Sequence, residues 1–246
     1  MELGFLALAA LGLALGGVLK GAVGAGAPVI AVPIIALLYS VPVAVAIFTI
    51  PNLFSNAWQV WAYRAELLSS KFVWNYAGGG AVGALFGSIL LAVVSGEVLL
   101  AALGCIVFGY IGLRVLMPDW VLSRDVADKV VLPVGLIAGV MQGAGGISAP
   151  ISVTFLSAMR LERGAFISTI SAFFGAMALV QIPTLWALGI MTPSLAGWSV
   201  LAVIPLFGAM PLGAWLGRRI DREVFDKLIL GLLAVVAVKL FYDALT

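Results

Sequence analysis

The sequence contains no histidine, and Cys105 is its only cysteine. Without histidine there is no imidazole to bind a metal or to act as a general base, and a single cysteine cannot form an internal disulfide or a thiolate metal cluster. The sequence also carries no nucleophile–base pair and no Walker-type phosphate loop. We therefore expect a protein that is not an enzyme and that uses no metal and no cofactor.

Charge is scarce as well. Charged residues make up 10% of the chain and hydrophobic residues 63%, and the mean hydropathy is +1.21, whereas a soluble domain is about a quarter charged and half apolar. The apolar runs are long enough to cross the roughly 30 Å hydrocarbon core of a bilayer. They are continuous rather than alternating, which favours helices over a barrel. The sequence predicts an all-α polytopic membrane protein, and its net charge of +2 is too small to indicate a nucleic-acid partner.

Glycine and proline are concentrated in two breaks between apolar runs. The first break ends at Ala27-Pro28 and the second at Ala149-Pro150, 122 residues later. The same shift places Thr49 on Ser171. Internal repeats determine the architecture, and we interpret residues 1–246 as a single membrane transporter domain. Repeat one covers 1–118, repeat two covers 129–246, and a cytoplasmic linker covers 119–128.

The basic residues indicate how the repeats are oriented, because lysine and arginine collect in short cytoplasmic loops. In repeat one they occupy the second loop, and in repeat two they occupy the first and third loops: Arg64, Lys71, Arg160, Arg163, Arg218, Arg219, Arg222 and Lys227. This opposite pattern predicts inverted-topology repeats with both termini outside the cytoplasm. Inversion needs an odd net number of crossings in each repeat. A Gly-rich broken helix or hairpin plus three transmembrane helices satisfies this, and so do five spans, two of them short.

The breaks also suggest where the helices end. We expect a first helix over 3–19 and a short second helix over 28–38, and in the other half 130–141 followed by 150–159. Pro51 and Pro183 are expected to interrupt long spans, because proline lacks the N–H that a helix interior uses. A single span is expected over 196–216. Glycines outside the breaks are expected to pack helices together; they are Gly78, Gly79, Gly80, Gly83, Gly87, Gly213 and Gly217.

The two breaks are the candidate binding site. Helices that begin at Pro28 and Pro150 present N–H groups without internal partners and the positive end of the helix dipole. Glycine allows a ligand to approach the backbone, so two such helix starts suit an oxyanion. We expect the breaks to meet inside the membrane, at the repeat interface. The candidate substrate-binding residues are Lys20, Gly24, Gly26, Ala27, Pro28, Thr49, Asn52, Gln142, Gly145, Gly146, Ser148, Ala149, Pro150 and Ser171.

Four polar positions leave alternatives open. Lys20 has no obvious acidic partner, since all eleven carboxylates fall at the ends of spans or in loops. A charge within the membrane usually marks a substrate pathway, but a lysine near a helix end can also extend to the headgroups. Thr49 and Ser171 either line a cavity or bond to a neighbouring helix. We favour the lining role for both, together with Asn52.

The repeated pattern resembles the TauE/SafE family of sulfite and sulfonate exporters. The residues that carry the resemblance are Gly21-(x)2-Gly24-(x)1-Gly26-Ala27-Pro28 with Thr49, and Gly143-(x)1-Gly145-Gly146-(x)2-Ala149-Pro150 with Ser171. The resemblance implies an inner-membrane permease that moves sulfite, an organosulfonate or a related anion. A carboxylate carrier and a non-transporting membrane assembly protein are the alternatives. The anion, the direction of transport, the coupling ion and the oligomeric state remain open.

Overall fold

In the computed structural model, residues 3–116, 120–219 and 222–245 are described, and they form helices without any strand. The first half contains α1 (Leu3–Val23), α2 (Ala27–Leu38), α3 (Val41–Ala62), the 3-10 helix η1 (Arg64–Glu66), α4 (Ser70–Val93) and α5 (Gly96–Leu116). The second half contains α6 (Arg124–Gly145), α7 (Ala149–Ala158), α8 (Arg163–Ala187), α9 (Pro193–Leu201), α10 (Val203–Leu216) and α11 (Arg222–Leu245).

Within these described residues, 7 helical stretches are long and apolar enough to cross a membrane, with α9 and α10 forming one of them. The predicted all-helical, polytopic membrane protein is confirmed at this level. The predicted boundary between repeat one and the linker, at 118 and 119, lies outside the described residues. So do both ends of the range 1–246 and the side chains of the predicted cytoplasmic Arg222 and Lys227.

Helices α1 and α2 fold back on each other. A Cβ atom built on Gly16 of α1 would lie 2.7 Å from the carbonyl oxygen of Ala27, at the start of α2. At the other end of the pair, the rings of Phe5 and Tyr39 pack edge to face with their centroids 6.2 Å apart. Residues early in α1 therefore lie beside residues late in α2, and residues late in α1 lie beside residues early in α2. We call this antiparallel pair, with its bend at residues 24–26, hairpin 1.

Helices α6 and α7 form the corresponding hairpin 2, with its bend at residues 146–148. The backbone N–H of Leu122, just before α6, donates to the carbonyl oxygen of Ala158, the last residue of α7, at 2.8 Å. The second arms are short, 12 residues in α2 and 10 in α7. At 1.5 Å per residue they measure about 18 and 15 Å. Both are shorter than the roughly 30 Å hydrocarbon core.

The long helices pack through glycine. Helix α3 packs against α8, α6 runs along α4, α1 along α10, and α5 along α11. A Cβ atom on Gly83 would overlap the Leu136 carbonyl oxygen of α6, and one on Gly213 would overlap the Val18 carbonyl oxygen of α1. The packing role is confirmed for Gly79, Gly80, Gly83, Gly87, Gly213 and Gly217. It is wrong for Gly78, where a Cβ atom would meet nothing within 4 Å.

Several helix ends differ from the sequence prediction. Helix α1 continues past residue 19 to Val23, and α6 covers 124–145 rather than 130–141. Glycine and alanine in these last turns fit a helix when a neighbouring backbone packs against them, as Gly21 does against the Met210 carbonyl oxygen. The expected single span over 196–216 is confirmed, because Pro193–Leu216 form one stretch that is long and apolar enough to cross a membrane, but its helix is interrupted at Ala202. Pro205 removes the N–H that would bond the Leu201 carbonyl oxygen across this point.

The predicted interruptions at Pro51 and Pro183 are also wrong, because α3 and α8 run through both prolines. At Pro51 the structure gives the reason. The proline leaves the carbonyl oxygen of Ile47, four residues earlier, without its helical N–H. The Ser199 hydroxyl of α9 donates to that oxygen at 2.8 Å and accepts from the Ile50 N–H at 3.3 Å. A neighbouring serine thus satisfies the backbone that the proline frees.

Candidate functional site

The bend of hairpin 1 requires glycine at two positions. Gly24 and Gly26 both have φ of +89°, a left-handed conformation that costs other residues strain. Gly26 is the N-cap of α2, and Ala27 and Pro28 form its buried first turn. A Cβ atom on Gly24 would overlap the side chain of Ile167 in α8. The bend therefore packs closely against the second half of the chain.

The bend of hairpin 2 has a different local structure. Gly145 is the last residue of α6, Gly146 follows with φ of +71°, and α7 begins at Ala149-Pro150. Ser148 occupies the N-cap of α7, but its hydroxyl donates to Gln142 Oε1 at 3.2 Å instead of capping the helix. The carbonyl oxygen of Gln142 accepts from Gln181 Nε2 at 3.4 Å. These contacts hold Gln142 and Ser148 within a neutral network.

Each bend packs against the other half of the chain, and the meeting of the two bends at the repeat interface stays a prediction. Helices α3 and α8 pack together across the interface of the halves. The Cβ atom of a residue at 146 would lie 3.2 Å from the side chains of Val32 and Val45. Gly24 faces Ile167 in the corresponding way. Each bend thus contacts a long helix of the other half, and the bend of hairpin 2 also contacts α2 of hairpin 1.

Lys20 lies in the last turn of α1 and is 2% exposed. Its ammonium nitrogen donates to Asn56 Oδ1 at 2.7 Å. Asn56 Nδ2 donates in turn to the side-chain and backbone oxygens of Asn52, at 2.8 and 2.7 Å. No carboxylate in the described part of the chain forms an ion pair with this lysine. We call Lys20, Asn56 and Asn52 the Lys20 cluster.

The donors and acceptors of this cluster follow a fixed order from Lys20 to Asn52. Lysine only donates, so the Asn56 oxygen must face Lys20 and its amide nitrogen must face the Asn52 oxygen. The amide nitrogen of Asn52 then points away, and it is buried without a partner in the described structure. An unpaired buried donor costs about 1–3 kcal/mol. A ligand that brings only acceptors, as an oxyanion does, would satisfy this donor and the N–H groups that Lys20 does not use on Asn56.

The hydroxyl groups of Thr49 and Ser171 both donate hydrogen bonds to other groups of the protein. The Thr49 hydroxyl donates to the Val45 carbonyl oxygen of its own helix at 2.6 Å. The Ser171 hydroxyl donates to Gln59 Oε1 at 3.0 Å. The bond from Ser171 crosses from α8 to α3. Ser171 therefore bonds to a neighbouring helix, which is one of the two roles that the sequence left open. Both residues are buried, and each can still accept a hydrogen bond.

A cavity of about 400 Å³ lies beside hairpin 1. Its floor includes the buried residues Gln59, Ile167 and Met210, and its mouth includes the exposed Arg163 and Arg218. We call it the arginine cavity. Gly21 lines its wall and directly follows Lys20, while Gln59 lies one helical turn after Asn56. The Lys20 cluster therefore adjoins the arginine cavity but is itself closed off.

Four of these residues were not among the predicted site residues. Asn56 and Gln59 follow Asn52 at spacings of four and three on one face of α3, and this periodicity was the available signal. In the sequence, Arg163 and Arg218 were interpreted only as loop charges that indicate topology. Their shared position at one cavity depends on how the tertiary fold places the start of α8 relative to the end of α10, which no local pattern encodes.

Two helical hairpins, each with a glycine bend and a short second arm, together with a buried lysine in one of them, are typical of a membrane transporter rather than of a simple helical bundle. The family comparison agrees. The chain belongs to the sulfite exporter TauE/SafE family, whose model matches residues 8–240. The resemblance predicted from the repeated breaks is confirmed, and this is a family of membrane transporters. No curated protein and no solved structure matches the chain.

Proposed function

We propose that this protein is a permease that carries a small sulfur-containing oxyanion, sulfite or an organosulfonate, across the cell inner membrane. The observation that carries the proposal is the Lys20 cluster: a buried ammonium without a described counter-ion, joined to amides whose free groups are donors. A bound oxyanion would supply both the missing negative charge and the missing acceptors. The helix starts at Pro28 and Pro150 remain predicted contributors to binding.

We further infer that residues 1–118 and 129–246 are inverted repeats. The 122-residue shift converts the contact of Gly24 with Ile167 into the contact of Gly146 with Val45, and both are present. It also relates Val18, which faces Gly213, to Val140, which faces Gly83. One contact pattern thus occurs twice, with the halves exchanged. This supports two membrane-inserted hairpins, each followed by three spans.

The predicted orientation has similar support. Arg163 and Arg218 share one cavity, and Glu66, two residues after Arg64, packs against Gly164. The basic segments around these residues therefore lie at one end of the helix bundle, which we call the basic end. Positive loops face the cytoplasm. We therefore propose that the basic end faces the inside of the cell and that both termini lie outside.

The first experiment is a thermal-shift screen of the detergent-solubilised protein, followed by flux in proteoliposomes. Sulfite, taurine, sulfoacetate, isethionate, acetate and phosphate are tested separately. A ligand that binds the folded state stabilises it according to the bound fraction, so we expect a shift with sulfite or a sulfonate and saturable flux of the same anion. A shift with acetate alone would indicate the carboxylate carrier, and the absence of flux for every anion would indicate an assembly protein.

The site is tested with Lys20→Ala and Gly26→Leu. Lys20→Ala removes the buried charge, and Gly26→Leu places a large side chain in a left-handed position at the bend. Both variants are expected to lose the anion-dependent shift while they still elute as folded protein. Lys71→Ala is the control, because it removes an exposed lysine. Wild-type anion binding in both site variants would refute the assignment of the site.

A further inference from the structure

We propose that the arginine cavity is a second anion-binding site, which captures the anion from the cytoplasm before the anion reaches the Lys20 cluster. This inference rests on the proposed function. Its ligand class is a small oxyanion, such as a sulfonate, a sulfite or a carboxylate group. The cavity lies where such a step requires it, because its mouth is exposed at the basic end and its wall includes Gly21, next to Lys20.

The charge of the arginine cavity is positive and uncompensated within its lining. Arg163 and Arg218 contribute two guanidinium groups, and none of the described lining residues is acidic. Arg163 Nη2 donates to the Ala22 carbonyl oxygen of hairpin 1 at 3.2 Å, which holds this side chain beside the bend and leaves its other N–H groups for a ligand. Glu66 packs against Gly164, but it does not line the cavity.

The remaining lining suits the approach of an anion. Trp58 and Phe207 form apolar wall, while Gln59 places an amide at the floor. A cleft with apolar walls and charge of one sign concentrates ions of the opposite sign. A guanidinium group matches the oxygens of a sulfonate or carboxylate with two parallel hydrogen bonds. The volume of about 400 Å³ leaves room for a small anion together with water.

This capture site has no equivalent in the other half of the chain. The 122-residue shift relates Arg163 to Val41, and the alignment of Gly213 with Gly83 relates Arg218 to Ser88. Val41 and Ser88 are neutral and at most 1% exposed. The positive charge is therefore placed at the basic end alone. We expect a carrier whose two membrane faces differ in apparent affinity for the anion.

The test compares flux from each membrane face in inside-out and right-side-out vesicles, with radiolabelled sulfite or the sulfonate that wild-type protein carries. In Arg163→Gln/Arg218→Gln, the KM at the cytoplasmic face should rise about tenfold or more at low salt, within the range by which charged clefts concentrate ions. The KM at the outer face should not change. Raising the ionic strength should reduce the difference from wild type, because salt screens exposed charge.

The control is Arg64→Gln/Lys71→Gln, which removes two positive charges from the same end but outside the cavity. Arg218→Gln alone keeps the bond of Arg163 to Ala22, so it tests the idea if the double variant folds poorly. A wild-type KM at the cytoplasmic face, an equal rise at both faces, or an equal rise in the control would overturn the capture site alone. No flux in wild-type vesicles would overturn the proposed function as well.

Discussion

Replacing Gly83 with alanine should destabilise the protein, whereas replacing Gly78, in the same helix, should not. Both glycines lie in α4. A Cβ atom on Gly83 would overlap the Leu136 carbonyl oxygen and lie 2.8 Å from the Val140 nitrogen, both in the backbone of α6. A Cβ atom on Gly78 would meet nothing within 4 Å. The two substitutions thus make the same chemical change in one helix and differ in what the added methyl group contacts.

The size of the effect follows from the atoms involved. A methyl group cannot rotate away, and a backbone cannot move without its whole helix, so α4 and α6 must separate along part of their contact. Overpacking of this kind costs about 1–3 kcal/mol. Gly78→Ala should instead gain about 0.5–1 kcal/mol, because alanine loses less conformational entropy in a helix. The pair should therefore differ by about 1.5–4 kcal/mol.

The assay is thermal unfolding of the detergent-solubilised variants, monitored by size-exclusion chromatography with fluorescence detection. A difference of about 1.5–4 kcal/mol corresponds to roughly 3–16 °C in Tm for a chain of this length. Helix α10 supplies an independent copy of the experiment. Gly213 there faces the Val18 carbonyl oxygen, and Gly208 has nothing within 4 Å. Equal melting temperatures for Gly83→Ala and Gly78→Ala would refute the close approach of α4 to α6.

Two further substitutions test single contacts by thermal unfolding. Ser199→Ala should destabilise the protein by about 1–3 kcal/mol, because the Ile47 carbonyl oxygen that Pro51 frees would lose its donor; a wild-type Tm would show that another group satisfies this oxygen. Gly24→Ala should cost about 1–3 kcal/mol from its φ of +89° alone, with Gly112→Ala, where the added methyl group meets nothing within 4 Å, as the control. Equal Tm values for these two would contradict the left-handed bend.

The sequence predicted the broken helices because their signals are local. Glycine and alanine before a proline mark a helix start wherever they occur, and the 122-residue spacing repeats the mark. The ends of the first arms were less predictable. A helix can run through Gly21 if a partner backbone packs on it, and that partner, Met210, lies far away in the chain. Local residue preference therefore placed the end of α1 four residues too early.

The surroundings of the two breaks were harder to predict than the breaks themselves. Matching breaks in two repeats suggest a common location, which stays a prediction, but the sequence does not show which helices pack beside them. In the structure the pair α3 and α8 lies at the interface of the halves. Asn56 on α3 then becomes the partner of Lys20, 36 residues away. The chemistry of Lys20 was visible in the sequence, while its partner depended on helix packing.

Lys20 in hairpin 1 and Gln142 in hairpin 2 occupy equivalent positions but have different hydrogen-bond partners. Gln142 forms neutral bonds with Ser148 of hairpin 2 and with Gln181 of α8. Lys20 instead belongs to a cluster whose unused groups are all donors. The arginine cavity adds positive charge beside Lys20, and the related positions in the other half are neutral. Two halves that share one backbone plan thus differ in charge, and we infer that this difference makes the two faces of the carrier unequal toward an anion.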